Sequence, residues 1–422
     1  MQARRLASVA LLGAAIAAGA TRAHAELQPL VPAPPDPLKI SVLTFGPGDH
    51  PFFKFGHDAL WIHDDVENTD RVYNFGTFSF DSPRLIFDFL HGRMTYWLSV
   101  SGLSSTLASY EHENRSIRAQ ELQLDAEVKR RLKERLDVNA QPQNRAYKYD
   151  YFLDNCATRV RDAIDWAAGG RLRELGRAPA RLSLRDQALR MTVSYLPLYV
   201  AIDLVLGPAA DRRIDRWGEM FIPEELADAV DEVRIPAGPA GAPAPLARPP
   251  QQLFAAARTP PPRTPPPLRG AFFGVGLLVG ALFWLLGRSA SADGLARGAR
   301  LTARVAMGVS LSVWGLVVGF VGCFLVYVWG WTDHAVAHRN QNLLVCAPWA
   351  LALLVLGIGV AAGWRGGTRA ARALAAAALA ATIAALLVKV GIVQHQDNGR
   401  WIAFFAPAWT GITAGLSRLV RS

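Results

Sequence analysis

The chain has 422 residues, of which 51% are hydrophobic and 19% are charged, and its net charge is +10. A soluble protein carries about a quarter charged residues, so this composition argues against a wholly soluble chain and against a disordered one. The three cysteines cannot form a disulfide framework. Much of the excess arginine lies between apolar runs, where it sets membrane orientation and does not indicate nucleic-acid binding.

The N-terminus is typical of a secretory signal peptide. Arg4 and Arg5 give a basic start, Leu6 to Ala20 is an apolar run, and Ala23-His24-Ala25 fits an A-x-A cleavage site. An uncleaved membrane anchor is the alternative. We therefore expect residues 1–25 to direct the rest of the chain out of the cytoplasm.

Residues 26–235 are predicted to form an extracytoplasmic α+β domain. Alternating and β-branched runs predict strands over 38–45, 57–63 and 71–78, and an apolar-periodic run predicts a helix over about 125–138. The apolar segment 183–206 either covers the core of this domain or lies on the bilayer surface.

The most informative stretch is a predicted helix that starts at Cys156. Asp154 and Asn155 are good N-caps, and Val160 and Ile164 recur at helical spacing. A thiol at a helix N-terminus lies near unpaired N–H groups and the positive end of the macrodipole. Both favour the thiolate, and the N–H groups could hold a developing oxyanion. A small buried cysteine without a chemical role is the alternative.

A Pro-rich segment, 236–269, follows the domain. It contains twelve of the 27 prolines of the chain, all between Pro236 and Pro267. Such a sequence can form neither a helix nor a central strand, so we expect an extended linker.

Residues 270–422 are predicted to form an all-α transmembrane bundle of five helices. A span needs about 20 apolar residues. One set of connections contains nine arginines and the alternate set two, which predicts that the first set is cytoplasmic. An odd number of spans then places the N-terminal domain outside. The five apolar runs lie at about 270–287, 305–330, 343–364, 371–393 and 401–417.

Four motifs stand out in the N-terminal half: Phe-Gly-His at 55–57, Tyr-Asn-Phe-Gly at 73–76, Tyr-Asp-Tyr-Phe-Leu-Asp-Asn-Cys-Ala-Thr-Arg at 149–159 and Phe-Ile-Pro-Glu-Glu-Leu at 221–226. Together they resemble one family, the Lnb N-terminal periplasmic domain, over about residues 40–230. This resemblance implies a papain-like fold of the circularly permuted NlpC/P60-like type, in which the histidine precedes the cysteine in the chain. The polar stretch 338–344 also resembles the membrane half of the same proteins.

The resemblance implies that Cys156 is a nucleophile and His57 its general base. In such a pair the imidazole accepts the thiol proton and then returns a proton to the leaving group. A third polar group should orient the ring, and we predict Asn74 on the neighbouring strand. A turn or sheet-edge hydrogen bond is the alternative role of Asn74, and His63 is the alternative base.

Two polar connections on the outer side separate predicted spans. His338, Asn340 and Asn342 in the first are candidates for substrate or headgroup binding, with a solvated loop as the alternative. His334 and His338 are four residues apart and could bind zinc together with Asp397 of the second connection. Two histidines without a firm third ligand are a weak pattern, so we expect no metal and no other cofactor.

The resemblance implies a lipoprotein N-acyltransferase in the bacterial inner membrane. Cys156 would take an acyl chain from a phospholipid as a thioester, and the N-terminal amine of a lipoprotein would accept it. The expected partners are thus phospholipid, lipoprotein and the membrane, and no nucleic acid. A cell-wall peptidase or amidase that uses water, and a non-catalytic membrane scaffold, are the alternative functions.

Overall fold

A computed structural model of the chain describes residues 36–79, 81, 83–237, 242–391 and 395–421. The predicted signal peptide, 1–25, lies outside the described residues. The described chain consists of an N-terminal α/β domain with an antiparallel sheet, followed by a helical region.

Nine strands are described in the N-terminal part, up to the end of the Pro-rich segment. The runs predicted as strands over 38–45, 57–63 and 71–78 are confirmed as the first three strands. The strands are β1 Leu38–Phe45, β2 His57–Asp64, β3 Thr69–Thr77, β4 Thr95–Gly102, β5 Ile117–Glu121, β6 Ala146–Lys148, β7 Arg234–Ala237, β8 Ala242–Pro245 and β9 Gln251–Phe254.

The same part contains short helices that cover the sheet. The helix predicted after Asp125 is confirmed, with Asp125 at its N-cap position. The helices are α1 Leu85–His91, α2 Leu103–His112, α3 Ala126–Ala140, α4 Cys156–Ala167, α5 Arg171–Gly176, α6 Leu184–Thr192, α7 Leu196–Val205, α8 Arg216–Glu219 and α9 Pro223–Glu232.

Seven strands form one antiparallel sheet in the order β6-β4-β3-β2-β1-β5-β9. On one face, Ile40 and Leu60 belong to a core that α3, α4 and α9 complete. On the other face, Phe45, Ala59 and Val72 pack against α2. The central strands therefore have apolar residues on both faces, and a polar side chain there is unusual.

The strands β2 and β3 separate at one end of the sheet. They pair only over Leu60 to Asp64 on β2, and β3 becomes irregular just after Asn74. The start of α4 lies at the resulting opening, because a Cβ added at Gly76 would come within 3.3 Å of the Cβ of Cys156. This opening places a helix N-terminus at the end of a central strand pair.

The Pro-rich segment packs against the domain over part of its length. The strands β7 and β8 form a two-stranded ribbon, and β9 pairs with β5 at the edge of the sheet. Leu246 and Ala247 are buried in the core on the α4 face. Prolines are tolerated beside an edge strand because its outer N–H groups need no partner strand. Part of the segment predicted as a linker therefore folds onto the N-terminal domain.

Five α-helices are described after the Pro-rich segment. Three of them, α10, α11 and α13, are long and apolar enough to cross a membrane, and a pair of helical segments bent by 59° between Ala335 and Ala361 makes a fourth if it is taken as one span. The predicted fifth run is helical as α14, but this helix is not among the candidate spans of the described residues. The helices are α10 Arg269–Ala290, α11 Arg297–Trp331, α12 Ala352–Ala361, α13 Arg365–Gly391 and α14 Gly399–Arg421.

The predicted third span, 343–364, is not one continuous helix. Proline lacks the N–H that a helix interior needs, and Pro348 begins a separate 3-10 turn, so that the regular helix covers only Ala352–Ala361. Ahead of the proline, Asn340 and Asn342 are hydrogen-bonded to the N-terminal domain. The apolar composition of this run did not reveal either interruption.

The helix α14 packs closely along α10. A Cβ at Gly276 or Gly280 of α10 would collide with the backbone oxygen of Phe404 or Pro407 of α14. Small residues four positions apart allow this approach, as in many membrane helix pairs. The helix α14 is therefore an integral part of the bundle.

The helix α7 joins the two regions. Val200 and Leu204 pack against the core of the helical region, whereas Ile202 packs against the N-terminal domain. The segment 183–206 was predicted either to cover the domain core or to lie on the bilayer surface. The structure instead places α6 on the domain core and α7 between the two regions.

A buried ionic network holds this contact together. Asp203 of α7 pairs with Arg185 of α6 and with Arg400 of α14, each at 3.1 Å. Arg185 also pairs with Asp211 at 2.7 Å. Arg185 and Asp203 are completely buried. The N-terminal domain is thus docked on the helical region through paired charges.

Candidate active site

Cys156 is the first residue of α4, as predicted. Asn155 is the N-cap residue, and its side chain accepts the N–H of Thr158 at 2.9 Å. The Thr158 hydroxyl in turn accepts the N–H of Asn155 at 2.8 Å, which completes a capping box. The amide of Asn155 also donates to the backbone oxygen of Phe221, just before α9. Local sequence and a tertiary contact together fix the start of the helix.

The thiol of Cys156 lies buried at the opening between β2 and β3. The backbone N–H groups of Asp58 and Ala157 lie close enough to the sulfur to lower its pKa. Asp58 lies on β2 beyond the part that pairs with β3, so its N–H is available to the sulfur. The helix start and the end of the strand pair thereby surround the sulfur with main-chain donors.

His57 is the first residue of β2 and directly precedes Asp58. Its ring stacks against Phe45 and Tyr110, with centroid distances of 5.9 and 6.1 Å. Strand alternation sends the His57 ring to the α2 face and the Asp58 side chain to the α4 face. The opening between β2 and β3 connects these faces at Cys156, so the thiol and the imidazole lie at the same end of the sheet.

Asn74 lies on β3 next to His57. Its amide nitrogen donates to the hydroxyl of Ser101 at 3.0 Å, and its side chain lies close enough to the His57 ring to raise the pKa of that imidazole. Because the amide nitrogen is held by Ser101, the amide oxygen is the group that faces the imidazole. Asn74 can therefore fix the orientation of the ring.

Burial sets the protonation states of the pair. Burial raises the pKa of Cys156 to about 12, and the nearby Asp58 carboxyl adds to this effect, while the N–H groups of Asp58 and Ala157 oppose it. Burial lowers the pKa of His57 to about 3, and the Arg115 charge lowers it further, while Asn74 opposes the shift. At neutral pH the resting site thus holds a neutral thiol and a neutral imidazole. The N–H groups at the helix start favour the thiolate, as expected, but burial outweighs them.

Asp58 was missed by the sequence analysis. It is completely buried, and neither of its carboxyl oxygens has a well-formed hydrogen bond among the described residues. Burial raises the pKa of Asp58 well above its ordinary value, although Thr44 and Arg118 nearby lower it in part. A carboxylate in the apolar alternation of a central strand is out of pattern, and this was the available signal.

Arg115 was also missed. It is 3% exposed and stacks on Phe53 and Tyr110, with its guanidinium carbon 5.1 and 4.5 Å from the ring centres. Its Nε donates to the backbone oxygen of Gly46 at 2.8 Å. The Arg115 charge lowers the pKa of both His57 and Cys156. It lies in a loop after α2, so no periodicity could indicate its position.

Six aromatic rings form a closed set beside the thiol. Each ring is within about 6 Å of the next, in edge-on contact, in an arrangement typical of aromatic clusters. Two of the rings, Tyr96 and Tyr149, are close enough to Cys156 for a thiolate charge to raise the pKa of each phenol, although burial is the larger cause. The rings are Tyr96, Tyr149, Tyr151, Phe89, Phe52 and Phe78, with centroid distances of 3.9, 5.3, 6.1, 5.4, 5.8 and 4.9 Å around the set.

This aromatic set reaches the helical region through α1. Phe89 belongs to α1, which also exposes Ile86 and Phe87 by 74% and 49%. His91 at the end of α1 forms a hydrogen bond of 2.8 Å with the hydroxyl of Tyr327 on α11. An apolar surface therefore links the surroundings of Cys156 to the C-terminal end of a candidate membrane span, α11.

One known family matches the N-terminal part of the chain. Residues 32–186 match the family model of the Lnb N-terminal periplasmic domain. This range contains His57, Asn74 and Cys156, and the predicted resemblance is confirmed. No curated protein and no solved structure matches the chain. Together with the candidate spans, the match to residues 32–186 indicates a membrane protein with a periplasmic N-terminal domain.

The candidates for substrate binding outside the Lnb domain have other partners. The amide nitrogen of Asn340 donates to the backbone oxygens of Leu204 and Val205 at 2.8 Å, and that of Asn342 donates to Leu204 at 2.9 Å. His338 forms a hydrogen bond of 3.0 Å with the backbone oxygen of Thr332. The asparagines cap the last carbonyls of α7, so the structure places them in the docking contact and not with Cys156.

The alternative base and the alternative metal site are also accounted for. His63 bonds to Asp65 and Asp70, both at 2.9 Å, and lies six residues along β2 from His57, about 20 Å away. His334 bonds to the backbone oxygen of Phe89 at 3.0 Å. In the part of the chain that the structure describes, no group of three or more His, Cys, Asp or Glu residues is arranged to hold a metal ion.

Proposed function

We propose that the protein is a thiol-dependent acyltransferase of the bacterial inner membrane, which moves an acyl chain from a phospholipid to the N-terminal amine of a lipoprotein. The observation that supports this proposal most directly is the position of Cys156 at a helix start, at the same end of the sheet as His57 and Asn74. A papain-like fold of the permuted NlpC/P60-like type is part of this proposal. The order of His57 before Cys156 and a thiol helix packed on an antiparallel sheet support it.

A cysteine and a histidine in these positions support a stepwise acyl transfer. The Cys156 sulfur attacks the ester carbonyl of the phospholipid while His57 accepts the thiol proton. The new C–S bond forms, the C–O bond breaks, and His57 returns the proton to the departing lysophospholipid oxygen. The amine of the acceptor then attacks the thioester, a C–N bond replaces the C–S bond, and the amine proton returns to the sulfur through His57.

The surroundings of the thiol favour a lipid over a wall peptide. The aromatic set beside Cys156 offers apolar contact area and few polar partners, as an acyl chain requires. The helix α1 extends this surface to the outer end of α11. A wall hydrolase would need only a tether, whereas this domain is docked on the helical region through buried ion pairs.

The membrane topology belongs to the same proposal. We propose that α14 is the fifth span, since it packs along α10 over its length, and that residues 1–25 act as the signal peptide. The apolar segment around the bent pair between Ala335 and Ala361 would be the third span. This arrangement keeps the Lnb domain and both polar connections on the periplasmic side.

Acyl transfer by the purified full-length protein tests the function. The protein is placed in nanodiscs that contain a phospholipid with isotope-labelled acyl chains, together with a diacylglyceryl-cysteine lipopeptide, and mass spectrometry follows the peptide. We expect labelled N-acyl peptide and a labelled thioester on Cys156. Cys156→Ser should abolish both products, whereas Cys323→Ser, at an exposed cysteine of α11, should leave them unchanged.

Muropeptides in the same assay separate the alternatives. Cleavage of muropeptides that depends on Cys156, without transfer to the lipopeptide, would establish a peptidase or amidase. A folded protein that carries out neither reaction would favour a non-catalytic scaffold and would refute the acyltransferase.

A further inference from the structure

A cavity of about 590 Å³ lies between the Lnb domain and the outer ends of the helices. Asp186 at the start of α6 and Asp211 line it from the domain, and Arg269, Lys389 and Asp397 line it from the helical region. Neither Cys156 nor His57 lines this cavity. The acyl-transfer steps therefore leave it without a role.

The acidic groups of the cavity already have partners. Asp186 accepts a hydrogen bond from the Ser183 hydroxyl at 2.8 Å in a capping box. Asp211 pairs with Arg185 at 2.7 Å, inside the buried network. Asp397 lies 3.7 Å from Arg400. The negative charge that lines the cavity is thus largely engaged by the protein itself.

The two cations of the cavity differ from the acids. Among the described residues, neither Arg269 nor Lys389 has a carboxylate within ion-pair distance. The Lys389 ammonium donates to the backbone oxygen of Gln396 at 2.6 Å, which leaves further donors. The Arg269 guanidinium lies over the backbone at Gly399, where an added Cβ would come within 2.9 Å of Nη2. Both cations can therefore bind an anion in the cavity.

The position of these cations fits the level of lipid headgroups. Arg269 is the first residue of one candidate span and Lys389 the last residue of another. Leu386 lies about one turn deeper on α13, and Ile402 and Ala403 of α14 also line the cavity. A cationic mouth at a membrane surface above an apolar floor matches an amphipathic anion.

We propose that this cavity binds a membrane phospholipid, with Arg269 and Lys389 contacting its phosphate and with Leu386 and Ile402 contacting its acyl chain. Arginine and lysine are the side chains that bind phosphate oxygens most often in proteins. This site is separate from the thiol and goes beyond the proposed function, because lipid binding requires no turnover. A free phosphate anion would use the same cations, so the experiment must distinguish the two.

Native mass spectrometry of the full-length protein in detergent measures the site. The probe is dioleoylphosphatidylglycerol, titrated until one bound lipid is saturated. The double variant Arg269→Gln with Lys389→Gln should weaken this binding about tenfold or more, since two charge-assisted contacts are lost. Arg263→Gln removes one exposed positive charge from the nearby Pro-rich segment and should leave the affinity unchanged.

A second variant tests the apolar half without changing any charge. Ala403→Trp should fill the floor of the cavity and weaken lipid binding. If thermal unfolding shows that the double variant is not folded, the Ala403→Trp variant alone tests the site. A large excess of inorganic phosphate should not displace the lipid. Unchanged lipid binding in both folded variants would refute the site, and displacement of the lipid by phosphate alone would replace it with a free-anion site.

The lipid titration does not depend on acyl transfer, so Cys156→Ser should lose the activity and keep the lipid binding. Failure of the function and failure of the lipid site are therefore separate results.

Discussion

Two buried polar clusters in this protein are built in opposite ways. At the docking contact, Arg185 and Asp203 are completely buried and paired, and Arg400 shares the same carboxylate. At the thiol site, Cys156, His57 and Asp58 are buried, and the pKa of each group is shifted in the direction that favours its neutral form. The paired buried charges hold the two regions in one arrangement. The buried groups of the thiol site have no ionic partner among the described residues, so they stay neutral and can take part in proton transfer.

The largest expected effect removes the base from the neutral cluster. His57→Ala should lower the rate of acyl transfer about 10²- to 10⁴-fold, because no neighbouring group then accepts the thiol proton. Initial rates with the labelled phospholipid measure this loss. The matched control is His63→Ala on the same strand, which bonds to Asp65 and Asp70 and should keep the rate. Similar losses of rate in both variants would mean that His57 affects the rate only through the structure of β2 and not as the base.

Breaking the paired cluster should reduce stability instead. Asp203→Ala leaves Arg185 and Arg400 without their shared carboxylate, and we expect a loss of about 3–5 kcal/mol in the free energy of unfolding. Denaturant titration in detergent, followed by tryptophan fluorescence, measures it. Glu134→Ala removes an exposed ion pair with Arg130 and should cost no more than about 0.5 kcal/mol. Equal effects would show that burial adds nothing to the docking pairs.

A smaller effect is expected when the charge of Asp58 is removed from beside the thiol. Where it is ionised, the Asp58 carboxylate raises the pKa of Cys156, so Asp58→Asn should lower that pKa and let the thiolate form at lower pH. The pH midpoint of iodoacetamide labelling at Cys156 should therefore move down. A midpoint that stays in place would show that Asp58 is protonated over the whole range and has no electrostatic effect on the sulfur.

Arg115 should act in the opposite direction. Its charge lowers the pKa of both Cys156 and His57, so Arg115→Met should raise both. The labelling midpoint should move up, and the imidazole resonance of His57 should titrate closer to its ordinary range in NMR spectra. Shifts of the same sign in the Asp58 and Arg115 variants would contradict an electrostatic cause and would indicate a rearranged site.

The sequence by itself determined the local elements and their order. Alternation indicated the first three strands, and the capping pattern around Asn155 indicated a helix that begins at Cys156, because both signals depend on neighbours in the chain. The candidate nucleophile, base and orienting residue came from motifs and family resemblance. The structure brings Cys156, His57 and Asn74 to one end of the sheet.

Only the tertiary structure decided the environment of those residues. The separation of β2 from β3 and the burial of Asp58 and Arg115 depend on contacts between distant segments, and these set the neutral state of the thiol. The break at Pro348 and the docking of α7 likewise depend on partners far away in the chain. Desolvation and charge pairing depend on what surrounds a group in space, and periodicity along a chain carries no such information.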